Sequence, residues 1–169
     1  MPGKGSEIMK AAVRQDYQKF FARLDEKLKS ERDWLSNMAN LAALIYQELH
    51  KINWAGFYLR RRGEDLKLGP FQGKPAVSKI TVGNGVCGTA VAEAEAQLVD
   101  NVHEFPGHIA CDCESESELV IPIWLNNEII GVLDIDSPVR ARFTTRDQDM
   151  LEKALEKFLA ASDFSDFKA

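Results

Sequence analysis

Apolar residues at Tyr17, Phe21, Leu24 and Leu28 recur at intervals of four, three and four, the spacing of one helical face. A second stripe, Trp34, Met38, Leu41, Ile45 and Leu49, predicts a second helix, with Ser30 and Asp33 in capping-box spacing before it. After His50 the period shortens to two. Residues 52–60 then read as an aromatic-rich strand, and RRRGED supplies the turn. Strands are expected over 66–68 and 76–82, separated by a GPFQGKP loop, and again briefly over 97–99. Between them, Gly83-Asn84-Gly85 breaks the pattern and VCGTAVAEAEA forms a short helix of small residues. Residues 100–118 have no clear period, contain Pro-Gly and read as a long loop. Two β-branched runs, 119–125 and 129–136, flank Asn126-Asn127, a hairpin turn because Asn tolerates positive φ. Thr144 with Asp147 caps a last helix carrying Leu151, Ala154, Leu155 and Phe158. Helices, strands, a hairpin and a closing helix predict an α+β fold, an antiparallel sheet with helices packed on it.

Composition narrows the function classes. The chain has 169 residues, enough for one domain with a real core, and its 45% hydrophobic and 28% charged content is that of a globular protein. A net charge of -5 offers no basic stripe for nucleic acid. No apolar run reaches the roughly 20 residues of a membrane span, and the first residues lack a secretory signal. Three cysteines with no disulfide-framework spacing read as thiols in a reducing compartment, so a cytoplasmic location is expected.

Four groups of residues could carry chemistry. Gly83-Asn84-Gly85-Val86-Cys87-Gly88 matches G-x-G-x-x-G, with Asp100 after the next strand, but no second βαβ half follows; the glycines read instead as a tight turn. His103, His108, Cys111 and Cys113 offer zinc-type donors within eleven positions, although C-x-C is tighter than the usual knuckle. Asp134 and Asp136 are two apart in a strand, so both emerge on one face, with Glu118 just before the preceding strand. They are either solvated acids near a strand end or the lining of a pocket. Cys87 lies near a helix start, where the macrodipole favours a thiolate, and is equally readable as a structural thiol.

Together, NWAGFYL (53–59), LGPFQGKP (68–75), GNGVCGTA (83–90), FPGHIACD (105–112) and IIGVLDIDSP (129–138) resemble the free methionine-(R)-sulfoxide reductases, which are built on a GAF domain. ERDWLSNMANLAALIY (31–46) is similar to their second helix. The resemblance implies one GAF-like domain over 1–169, with a helix in about 1–30 packed on it. It also implies reduction of the R epimer of free methionine sulfoxide, electrons from thioredoxin, and neither metal nor organic cofactor. It places the nucleophile at Cys111, a partner thiol at Cys87, and site acids at Glu118, Asp134 and Asp136. A positioned acid protonates the leaving oxygen, the other carboxylates hold the substrate's ammonium, and Trp54 walls its methyl and methylene groups. Condensation of a Cys111 sulfenic acid with a second thiol completes the cycle.

Two departures bear on that cycle. Many family members carry a further cysteine in the strand before GVCG, where this chain has Val77. Resolution then falls to Cys87, with Cys113, outside the motif, as an alternative resolving thiol. The rival reading is a non-catalytic GAF module that binds a small ligand or nucleotide for signalling, since fold does not fix function.

Overall fold

The computed structural model describes residues 17–61, 63–107 and 114–167. The two N-terminal stripes form helices α1 (17–28) and α2 (Trp34–Glu48). Strands β1 (Trp54–Leu59), β2 (Leu66–Gly73) and β3 (Lys79–Ile80) follow, then helix α3 (Gly85–Glu93) and strand β4 (Gln97–Val99). The chain ends in the hairpin of β5 (Ser117–Leu125) and β6 (Glu128–Ser137), followed by helix α4 (Thr145–Ala161). The strands make one sheet in the order β3-β2-β1-β6-β5-β4, and every neighbouring pair is antiparallel. The α+β expectation is borne out. Such a sheet has no parallel strand pair for a dinucleotide crossover.

The hairpin and the last cap form as their residues demand. Asn126 and Asn127 take φ of 51° and 64°, the left-handed turn that keeps the flanking strands twisted together. Thr144 and Asp147 exchange both bonds of a capping box. Asp147 also accepts from Tyr17 Oη at 3.0 Å and from Arg142 Nη1 at 3.3 Å, which ties α1 to the start of α4. Burial, and then the Asp147 charge, push the Tyr17 phenol up to about 12.

Three local expectations need correcting. The N-cap of α2 is Asp33, one residue before Trp34, and its carboxylate accepts from Ser36 N at 2.6 Å; Ser30 lies too far back. The GPFQG stretch is strand, with Phe71 opposite Gly56 and Gly73 opposite Trp54. Its register slips between Gly56 and Tyr58, so Gly69 and Pro70 together oppose Phe57 and the proline sits in a bulge. Conversely, the strand expected over 76–82 shrinks to Lys79–Ile80. The segment before it is held by side chains: Trp54 Nε1 donates to the Lys74 carbonyl at 3.1 Å and Tyr58 Oη to the Val77 carbonyl at 3.0 Å.

Alternation along the strands divides the interior in two. Ala55, Phe57, Leu119, Ile121, Leu133 and Ile135 face α1, α2 and α4 in the larger core, with Phe20, Leu24, Met38, Ile45, Leu151 and Phe158. Trp54, Tyr58, Val120 and Val132 face the other way, against Val86, Cys87, Ala90 and Val91 of α3. Among the described residues no helix is long and apolar enough to cross a membrane.

Candidate active site

Register assembles the acids. Glu118 of β5 lies opposite Asp136 of β6, and Asp136 lies opposite Trp54 of β1, a row across three adjacent strands. The next row on the same face is Val120, Asp134 and Gly56. Glu118, Asp134 and Asp136 are 5%, 0% and 2% exposed, so they are a buried set. Burial rules out the reading of these three as solvated acids near a strand end.

Helix α3 brings the thiol to this set. Its residues are small, and it lies close against the preceding turn: a Cβ on Gly88 would come 2.4 Å from the Thr81 carbonyl. Gly83 N donates to Gly88 O at 2.8 Å, so the glycine-rich turn closes on the helix's own first turn. That docking sets Cys87 Sγ 4.0 Å from Glu118 Oε1. Cys87 Sγ and a carboxylate oxygen each from Glu118 and Asp134 lie within 4.8 Å of one another.

Burial dominates the electrostatics. Desolvation holds the Glu118 carboxyl well above the usual carboxylate range, and the Asp136 charge opposite raises it further. Asp134 is pushed up the same way, first by burial and then by the Glu118 charge, against a lowering contribution from the Cys87 thiol. Both Asp134 oxygens are buried without a hydrogen bond of ordinary geometry among the described residues. Glu118 and Asp134 therefore keep their protons to higher pH than ordinary carboxyls, and the set is short of positive charge whenever they ionise.

Trp54 is fully buried, stacked on Phe71 at 5.3 Å and on Tyr58 at 5.9 Å. Gly56 makes room for it, since a Cβ there would be 2.7 Å from the indole and 2.3 Å from Phe71 Cβ. Two anchors close by escape sequence reading. Asn53, whose amide donates to the Asp136 carbonyl at 3.0 Å, also gives Nδ2 to Ser115 Oγ at 3.2 Å. Lys74 Nζ pairs with Glu114 Oε2 at 2.8 Å, both exposed. Polar residues beside a strand or in a loop carry no periodic signal, so only the tertiary contacts reveal these two.

Of the remaining residues singled out in the sequence, His108, Cys111, Asp112 and Cys113 lie outside the described residues. His103 is exposed and faces Glu116 at 3.3 Å. Asp100 follows β4 on the surface, its carbonyl accepting from Ala141 N at 2.9 Å.

Comparison with known proteins agrees with this architecture. The GAF domain family matches residues 24–160. The free methionine-R-sulfoxide reductase of Escherichia coli (strain K12) is 50% identical over 89% of this chain and 94% of its own length. Its counterpart in Saccharomyces cerevisiae is 45% identical over 72% of this chain and 71% of its own. Among solved structures, fRMsr of Staphylococcus aureus in complex with substrate superposes with a TM-score of 0.80 at 43% identity, covering 86% of this chain and 94% of that one.

Proposed function

Because the chain belongs to the free methionine-R-sulfoxide reductases, a family built on the GAF domain, we propose that it reduces free methionine-(R)-sulfoxide to methionine with its own thiols as the source of electrons. The observation that carries this reading is the buried row of Glu118 and Asp136 with Asp134 beside it, under the Cys87 thiol. A sulfoxide oxygen leaves only when protonated, and carboxyls held above their ordinary range keep protons to give.

The Cys111 thiolate attacks the sulfoxide sulfur while the carboxyl set protonates the oxygen. Oxygen passes to Cys111; substrate sulfur gains two electrons, Cys111 loses two, and methionine leaves. The Cys87 thiol then condenses with the Cys111 sulfenic acid, forming a disulfide and releasing water. A thioredoxin dithiol reduces that disulfide in the cytoplasm. With Val77 where many relatives have a thiol, Cys87 is the resolver, and Cys113 is the alternative. Carboxylates not engaged in proton transfer hold the substrate's ammonium, which favours the free amino acid. Trp54 bounds the space for its methyl and methylene groups.

Purified protein with thioredoxin, thioredoxin reductase and NADPH tests this, each epimer supplied separately beside Cys111→Ser and Cys87→Ser variants. The reading expects turnover of the R epimer alone, none in Cys111→Ser, and a single sulfenic acid accumulating in Cys87→Ser. No turnover of either epimer, with dithiothreitol also tried, would leave a GAF module that binds some other small ligand.

A further inference from the structure

We propose that Cys87, Glu118 and Asp134 form a binding site for one thiophilic divalent cation of the zinc class, which blocks the reductase when it binds. The binding stands on geometry alone; the inhibition rests on the function proposed above. The donors come from three separate elements: α3 supplies the sulfur, β5 and β6 one carboxylate each. All three side chains are buried, and their donor atoms lie within 4.8 Å of one another. Asp134 is fully buried, and among the described residues neither of its oxygens has a hydrogen bond of ordinary geometry, so the cluster holds buried acceptors that a cation would satisfy.

Donor type and size choose the cation. Tetrahedral zinc, with about 2.3 Å to sulfur and about 2.0–2.2 Å to oxygen, needs donors roughly 3.4–3.6 Å apart. The 4.0 Å between Cys87 Sγ and Glu118 Oε1 is wider than that edge and the three donors lie within 4.8 Å, so they must draw together around the ion. Magnesium prefers near-octahedral oxygen ligands and retained water, which a buried site with one sulfur and two carboxylates does not offer. A dication also answers the shortage of positive charge that the two carboxylates create. Three protein donors leave a fourth position for water, the pattern of an exchangeable site. In the reductase, such an ion takes the space of the substrate ammonium and sequesters the resolving thiol.

Cobalt(II) reports on the site directly, because a thiolate ligand gives a charge-transfer band in the near ultraviolet. Reduced protein should bind Co²⁺ at one-to-one stoichiometry. The band should persist in a Cys111→Ser/Cys113→Ser variant and vanish in Cys87→Ser, or in Cys87→Ala if the serine variant does not fold. Glu118→Gln should weaken binding by about tenfold or more. Zinc should inhibit turnover competitively with methionine sulfoxide. A band that follows Cys111 and Cys113, one that survives loss of Cys87, or no binding up to millimolar Co²⁺ would overturn the proposal. Should the protein bind cobalt through Cys87 yet reduce neither epimer, the site stands and the reductase reading falls.

Discussion

Replacing Glu118 with Gln tests the electrostatics of the buried acids without altering side-chain shape. Glu118 sits against Asp136 in the next strand, and burial followed by that charge raises its pKa in the folded protein. An acid whose folded pKa exceeds its unfolded value stabilises the protein fully below the unfolded value, about 4.3. That contribution declines as pH climbs and is gone once pH passes the folded pKa. Each unit between the two is worth about 1.4 kcal/mol. For a chain of this size that is about 3–5 °C in Tm. Gln has no such titration, and its presence also removes one charge that raises Asp134. The difference in Tm, variant minus parent, should therefore be near zero around pH 4 and grow positive toward pH 8. The variant should at the same time lose reductase activity, since it gives up a site carboxyl. Thermal unfolding of both proteins by circular dichroism from pH 4 to 9 measures this. A flat difference, or one that turns negative as pH rises, would refute the reasoning.

Three further substitutions test the frame around the site. Gly56→Ala puts a Cβ 2.3 Å from Phe71 Cβ and 2.7 Å from the Trp54 indole. It should cost about 2–3 kcal/mol, seen as a Tm lowered by roughly 4–12 °C, and a loss under 2 °C would mean β1 and β2 separate freely. Asp147→Ala removes the carboxylate half of the capping box and leaves Tyr17 and Arg142 short of an acceptor. Urea unfolding should show about 2–3 kcal/mol lost, and a loss below 0.5 would place the α1–α4 tie outside the cooperative unit. Asn53→Ala frees Ser115, which stands four residues after Cys111. Steady-state kinetics should show kcat lowered about tenfold or more with KM changed less than about threefold; an unchanged kcat would show that this anchor does not position the segment of the proposed nucleophile.

The sequence is most readable where one physical signal acts alone. The stripes of α1 and α2, the Asn-Asn hairpin and the Thr144–Asp147 box each rest on a local rule, and each forms. Gly69-Pro70 misleads because it signals a loop, whereas the pairing of β1 with β2 absorbs it as a bulge. The stretch before β3 misleads in the opposite sense: its β-type residues lose their ladder to the Trp54 and Tyr58 side chains, a tertiary effect. In the site, the spacing of Asp134 and Asp136 puts both on one face from sequence alone. That Glu118 meets Asp136, and that Cys87 hangs over them, depends on strand register and helix docking, which the motif resemblance anticipates and local patterning does not. Asn53 and Lys74 lie inside two of the resembling motifs, but no local pattern singles either of them out.

The division of the sheet explains how one small domain tolerates the three buried carboxyls of the candidate site. Burying an acid costs stability unless a partner or a proton compensates, and here the costs fall on a single face. The opposite face of the same central strands packs against three helices, with Phe57, Leu119, Leu133 and Ile135 meeting Phe20, Ile45, Leu151 and Phe158 in the larger core. Since neighbouring positions on a strand point to opposite faces, Ile135 anchors the fold from between Asp134 and Asp136. A one-residue slip of β6 would exchange apolar for acidic side chains and forfeit both the core and the site. Selection for folding therefore fixes the acids' geometry. A substitution such as Ile135→Ala should then lower stability by about 2–5 kcal/mol and, below its own Tm, leave the pH dependence of turnover unchanged.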